Sequence, residues 1–298
     1  RGVHWQMADP SISIRRRLLR SERISTENRR NRQGFQHFDL TEDIINQQFM
    51  ENSKAPLLPI YDIPDLGFLK YLSVEMNDAC PLTQIHDKCP RNHDRFQDKE
   101  DYGILTEQEM CEWIDLCISY GFKGLITLHN YNEPMSTRDI VKRMVTRYPN
   151  RISLWTSGIL FRSTNEDQYI IENCHDVMIS RYDGIEICQN VKLMFDAFPN
   201  VKQQKYELDN RAYEVLKITD NQPMSSKLCT RPDWEIILNN RGYINMCCGD
   251  WRGDIEIGNI KVDEPHTLLH RWNIKRQEIN RGIFPDTCLD CLAKGTPI

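Results

Sequence analysis

The sequence predicts an α/β fold, a parallel sheet or partial barrel followed by a small cysteine-rich hairpin module. Three observations carry this. From Leu69 onward, short β-branched apolar segments alternate with helical stretches of about 10–15 residues, the pattern of βαβ units. The expected strands end in polar or metal-competent residues, at the side of a parallel sheet where ligands gather. Beyond Cys229 the alternation stops, and a hairpin and a terminal turn carry four cysteines.

Residues 1 to about 40 hold nine arginines (Arg1, Arg15, Arg16, Arg17, Arg20, Arg23, Arg29, Arg30 and Arg32) against Asp9, Glu22, Glu27 and Asp39. Such an arm either grips a phosphate-rich or acidic partner or lies solvated over the surface. A short helical pattern, Thr41 to Met50, is followed by a lead-in with Pro56, Pro59 and Pro64 that reads as extended chain. The first strand, Tyr71 to Met76, runs into a loop with Cys80, His86 and Cys89. Thr106-x-x-Glu109 is a capping box. It opens a helix whose apolar residues Met110, Trp113, Ile114, Cys117 and Ile118 recur at helical spacing until Gly121, which places Cys117 in the core and Cys111 off that face.

A buried strand, Gly124 to Leu128, leads to the loop His129-Asn-Tyr-Asn-Glu133-Pro134, and Ser136 or Thr137 then caps a helix to Tyr148. The next strand, Arg151 to Trp155, ends in Thr156-Ser157-Gly158. A helix around Asp167 to Asn173, a strand from Asp176 to Arg181, a helix to about Phe198 and a strand from Gln203 to Leu208 follow. Glu235 to Leu238 and Tyr243 to Cys247 read as a hairpin turned at Asn239-Asn-Arg-Gly242. Cys174 and Cys188 read as core or surface thiols.

With 298 residues, 40% of them apolar and 27% charged, the chain has the composition of a globular protein. Its net charge of −5 argues against nucleic acid or anionic membrane as a partner. No apolar run approaches the ~20 residues that span a bilayer, and no signal-peptide core is seen. Eleven cysteines, an odd number without an export signal, point to a reducing cytoplasmic setting and to metal or redox chemistry.

The first cysteine group, Cys80-x5-His86-x2-Cys89, has the spacing of an iron–sulfur loop at its C-terminal end. A surface loop with incidental Cys and His is the plainer alternative. The second group runs Cys229, twelve residues, Gly242, four residues, Cys247, and then Cys288-x2-Cys291. Four such thiolates can hold a four-iron cluster or close a zinc site. A zinc ribbon normally uses two tight Cys-x2-Cys pairs, and only one is present. Cys248, adjacent to Cys247, cannot easily join the same site.

Over residues 68–292 these features resemble the radical S-adenosylmethionine superfamily with a C-terminal twitch or SPASM-type auxiliary-cluster domain. Asn130-Tyr-Asn132-Glu133-Pro134 is similar to the family's Gly-Gly-Glu-Pro loop, and Trp155-Thr-Ser157-Gly158-Ile-Leu160 to its Thr-Asn-Gly-x-Leu strand end. Cys229-x12-Gly-x4-Cys247 followed by Cys288-x2-Cys291 fits the twitch pattern, as do Arg252, Gly258 and Asn259 after it. The resemblance implies a partial (β/α)6 barrel over 68–222 and an auxiliary-cluster domain over 223–298, after an N-terminal arm and linker, 1–67. It implies S-adenosylmethionine held by Asn130, Asn132, Glu133, Pro134, Ser157 and Gly158. A first [4Fe-4S] cluster would sit on Cys80, His86 and Cys89, and an auxiliary one on Cys229, Cys247, Cys288 and Cys291.

The family's first loop is Cys-x3-Cys-x2-Cys, so His86 is a departure. Either its imidazole replaces the middle thiolate and raises the cluster potential, or the site is remodelled with another ligand such as His93. The implied chemistry is hydrogen abstraction from a hydroxylated sugar or cyclitol, with a flavodoxin or ferredoxin supplying an electron to the first cluster and the auxiliary cluster taking one from the substrate radical. Radical modification of a ribosomal peptide, and an inactive iron–sulfur or zinc protein, remain the alternatives. Arg211 is a candidate to hydrogen-bond a substrate hydroxyl, or else pairs with Asp209 or Glu214.

Overall fold

The computed structural model describes residues 64–83, 89–93, 95–96, 98–162, 164–182, 197–206 and 229–293. All of them belong to one compact unit, Tyr61–Ile298. The arginine-rich arm, the 41–50 helix, His86, Cys188, most of the helix expected before Phe198, and Arg211 lie outside the described residues.

A seven-stranded sheet organises the molecule: β1 (Tyr71–Val74), β2 (Leu125–Thr127), β3 (Ile152–Thr156), β4 (Asp176–Tyr182), β5 (Val201–Tyr206), β6 (Glu235–Leu238) and β7 (Ile244–Asn245). Their order is β5-β4-β3-β2-β1-β6-β7, parallel throughout except for the antiparallel β6–β7 hairpin. The fifth strand begins two residues earlier than its pattern suggests, and Glu207 and Leu208 at its expected end lie outside the described residues. The hairpin lies where expected, but it extends the main sheet: β6 pairs in parallel with β1, Tyr71 opposite Glu235 through Val74 opposite Leu238.

Side chains alternate across strands, and the two faces of this sheet differ. Leu72, Val74, Ile126, Leu128, Ile152 and Leu154 are fully buried in the apolar core, each worth about 1.5–3 kcal/mol of burial. On the other face Ser73, Thr127, Ser153 and Asp176 stand opposite one another in a single row. Thr127 Oγ1 donates to Ser73 Oγ at 2.7 Å, and Trp155 Nε1 to Ser153 Oγ at 2.9 Å. Parallel strands are usually apolar on both faces, so a polar face marks the side that serves a site.

Helix α1 (Glu107–Ser119) starts at the expected capping box, with both reciprocal Thr106–Glu109 bonds formed. Its end is a Schellman motif: Gly121 N–H donates to Ile118 O, Phe122 N–H to Cys117 O, and Gly121 has φ +90°. Cys117 is in the core as expected. Cys111 is buried too, its thiol 3.7 Å from the Met144 sulfur, because the helix that carries Met144 covers the flank that helical periodicity left open.

Helix α2 (Arg138–Arg147) lacks the expected hydroxyl cap. Pro134–Thr137 forms a 3-10 turn, and Thr137 Oγ1 instead accepts from Asn77 Nδ2 and donates to Pro134 O. Helix α3 (Asn165–Asn173) is capped by Thr164, and Cys174 just after it is buried. Helix α4 (Pro265–Asn280) buries Leu268, Leu269, Trp272 and Ile279, and α5 (Asp286–Ala293) carries Cys288 and Cys291.

Candidate functional site

Three segments singled out in the sequence meet at Glu133, which is 2% exposed. Its carboxylate accepts from Met135 N–H (3.1 Å), Thr156 Oγ1 (2.6 Å), Ser157 N–H (2.8 Å) and Ser157 Oγ (2.6 Å). Its own N–H donates to Ala79 O at 2.7 Å, one residue before Cys80. One side chain and its peptide thus join the loops after β1, β2 and β3. Gly158 follows at φ +74°, a left-handed turn suited to glycine, with its N–H on Thr156 Oγ1 at 3.1 Å.

Asn130 N–H donates to Asn132 Oδ1 at 3.1 Å, and Asn132 Nδ2 to Leu128 O at 3.3 Å, which folds the loop over the end of β2. Asn130 Nδ2 is buried with no hydrogen-bond partner among the described residues. A buried donor of this kind calls for a ligand or water. Pro134 is buried at the head of the 3-10 turn.

Cys80 is half-buried. Burial raises its pKa, and the charges of Glu133 and Cys89 add to the effect, so the two cysteines and the Glu133 carboxylate share one neighbourhood. Cys89 opens the 3-10 turn Pro90–Asn92, and Arg91 pairs with Asp78 across the loop.

Sequence reading missed the group beneath these loops. Glu75, fully buried at the end of β1, makes a bidentate ion pair with Arg95, both contacts 2.8 Å. The same carboxylate accepts from Tyr131 N–H at 3.0 Å and Asn240 N–H at 3.2 Å. The Arg95 guanidinium lies 4.6 Å from the centre of the Tyr131 ring. The available signal was an acid at a strand end; its arginine lies twenty residues away in an irregular loop.

The four C-terminal cysteines are all half-buried. Burial raises the pKa of Cys229, with Cys291 as a neighbouring charge. Burial also pushes Cys288 up to about 12, with Cys229, Asp250 and Cys291 adding repulsion. Cys247 is raised well above the ordinary range by burial, then by Cys248, Asp250 and Cys229. Asp250 shapes the turn after Cys247, its side chain accepting from Met246 N–H at 3.1 Å and its N–H donating to Cys247 O at 3.1 Å. Among the described residues, no three His, Cys, Asp or Glu side chains are placed to hold a metal ion. A single tetrahedral zinc ion would draw its thiolates to ~2.3 Å from one centre. The donor set is all cysteine, which is the chemistry of either a cluster or a structural zinc ion.

No helix among the described residues is long and apolar enough to cross a membrane. No protein-family description matches the chain, and no curated protein matches it. Its fold is that of a solved structure, BtrN in complex with AdoMet and 2-DOIA. That structure has a TM-score of 0.56 and 19% identity, covering 76% of this chain and 92% of that one. A crystal structure of BtrN in an open conformation also aligns, with a TM-score of 0.49 and 18% identity.

Proposed function

We propose that this chain is a radical S-adenosylmethionine enzyme that oxidises or epimerises a hydroxylated small molecule of the sugar or cyclitol type. The observation that carries the reading is the Glu133 junction, which draws together the Cys80 loop, the Asn130–Pro134 loop and the Thr156–Gly158 strand end. The fold shared with BtrN, a structure that holds AdoMet and 2-DOIA, agrees with it. On this reading the parallel sheet is the wall of a partial (β/α)6 barrel, with its polar face toward substrate.

Cys80, His86 and Cys89 would hold a [4Fe-4S] cluster, and Cys229, Cys247, Cys288 and Cys291 an auxiliary one. When bound, the first cluster and S-adenosylmethionine supply a 5′-deoxyadenosyl radical that takes a hydrogen atom from substrate. The protein's share is placement. Glu133 holds Ser157 and Gly158 at the strand end, and Asn130 Nδ2 offers an unused donor to the cofactor. Asn132 and Pro134 keep the loop in shape, and Arg211 would bond a substrate hydroxyl. A flavodoxin or ferredoxin would deliver the electron.

The histidine in the first loop favours a second reading, an iron–sulfur or zinc protein without radical activity. Anaerobic reconstitution decides between them. Two clusters give ~8 iron per chain, and the reduced EPR signal should change when S-adenosylmethionine is added. With substrate present, 5′-deoxyadenosine should form. If only ~4 iron bind and nothing responds to the cofactor, the radical reading is wrong. His86→Cys should keep the iron content and lower the first cluster's potential. A variant that gains a cluster absent from the parent would remove His86 as a ligand.

A further inference from the structure

Tyr131 lies within the expected cofactor loop, yet its hydroxyl reaches the other cysteine site, donating to the carbonyl oxygen of Cys248. The ring is 6% exposed and faces Arg95, while its backbone N–H is held by Glu75. Two residues later, Glu133 is bonded to Thr156 and Ser157 and, through its N–H, to Ala79 beside Cys80. Tyr131 therefore spans from the loops of the first site to the turn after Cys247.

The atom it grips matters. The Cys248 oxygen belongs to the Cys248–Gly249 peptide, and Gly249 lies against the Cys247 sulfur: a methyl group on it would sit 3.6 Å from Sγ. With its oxygen bonded to Tyr131, this peptide is fixed beside the Cys247 sulfur. Dipoles and hydrogen bonds around ligating sulfurs are among the main levers on cluster potential.

We infer that Tyr131 is a positioning residue that orients the Cys248–Gly249 peptide against the Cys247 thiolate, so tuning the auxiliary cluster and tying it to the cofactor loop. This rests on the proposed auxiliary cluster at Cys229, Cys247, Cys288 and Cys291. The bridge gives that cluster a means of sensing cofactor binding through the Asn130–Pro134 loop.

The test is a redox titration of the reconstituted full chain, followed by EPR with and without S-adenosylmethionine, for the parent, Tyr131→Phe and Tyr102→Phe. Phenylalanine keeps the ring over Arg95 and the backbone bond to Glu75, and removes only the hydroxyl. Tyr102 bonds Glu100 and serves as the control. Tyr131→Phe should keep ~8 iron, shift the auxiliary potential and abolish that cluster's response to the cofactor. Tyr102→Phe should titrate like the parent. Equal potentials in parent and Tyr131→Phe at full iron content would overturn the inference and leave the proposed function standing. Loss of auxiliary iron from Tyr131→Phe alone would also overturn it, since the hydroxyl would then build the site and not tune it. A parent that binds only ~4 iron would bring down the functional reading and this inference together.

Discussion

At Glu133 two carboxylate oxygens divide four donors: Met135 N–H and Thr156 Oγ1 on one, Ser157 N–H and Ser157 Oγ on the other. A hydroxyl can rotate to present a lone pair, but a backbone N–H cannot. Glu133→Gln replaces one oxygen with an NH2 that must face a backbone donor, whichever way the amide turns. The cost should be that of a lost charge-assisted bond plus an unsatisfied donor, about 1.5–3 kcal/mol. A urea melt should show it as a lower midpoint at unchanged slope, and on the proposed function S-adenosylmethionine should bind more weakly, because Ser157 and Gly158 lose their anchor. Unchanged affinity would separate this carboxylate from the cofactor. The sequence pointed to Glu133, Ser157, Gly158 and the cysteines because each lies in a local motif. It did not point to Glu75, Arg95 or Tyr131, whose roles come from partners brought near only by folding.

Helix α1 shows what local chemistry specifies and where it stops. Thr106 and Glu109 form the capping box that their spacing announces, and Gly121 ends the helix in the left-handed conformation that glycine permits. The same glycine also makes room for Asp65, whose carboxylate accepts from Gly67 N–H at 2.8 Å and caps the 3-10 turn leading into β1. A Cβ at Gly121 would lie 2.1 Å from Asp65 Oδ1. Gly121→Ala should therefore cost ~1–2 kcal/mol of backbone strain and also displace the cap. In an Asp65→Ala background the clash is gone, so the second substitution should cost less. Additive melting shifts in this double-mutant cycle would show that the two sites do not interact. Other boundaries were harder to read for the same reason. Thr137 looks like an N-cap, but Asn77, sixty residues away, occupies its hydroxyl. The hairpin was visible from its turn residues, whereas its parallel pairing with β1 joins segments more than 160 residues apart and leaves no local trace.

Across the whole molecule, the Glu75 carboxylate joins parts of the chain 20, 56 and 165 residues away: Arg95, Tyr131 and Asn240. These belong to the first cysteine loop region, the loop after β2 and the turn of the C-terminal hairpin, so one buried anion joins the middle of the sheet to the β6–β7 hairpin. Its pair with Arg95 differs in kind from the exposed bidentate pair of Arg143 with Glu107, which water screens. Arg95→Leu leaves the Glu75 charge buried without its cation, and should destabilise the fold by about 3–5 kcal/mol. Replacing both charges by apolar groups would strand the N–H groups of Tyr131 and Asn240, so the usual tolerance for hydrophobic replacement of a buried pair should not hold here. Glu75→Gln combined with Arg95→Leu keeps an acceptor for one of those N–H groups and removes the bare charge, so it should recover part of the loss. Equilibrium unfolding of both variants beside Arg143→Leu supplies the comparison. If Arg95→Leu proves as mild as Arg143→Leu, the sheet and the hairpin module are held together by packing alone, and the Glu75 carboxylate has no special part in joining them.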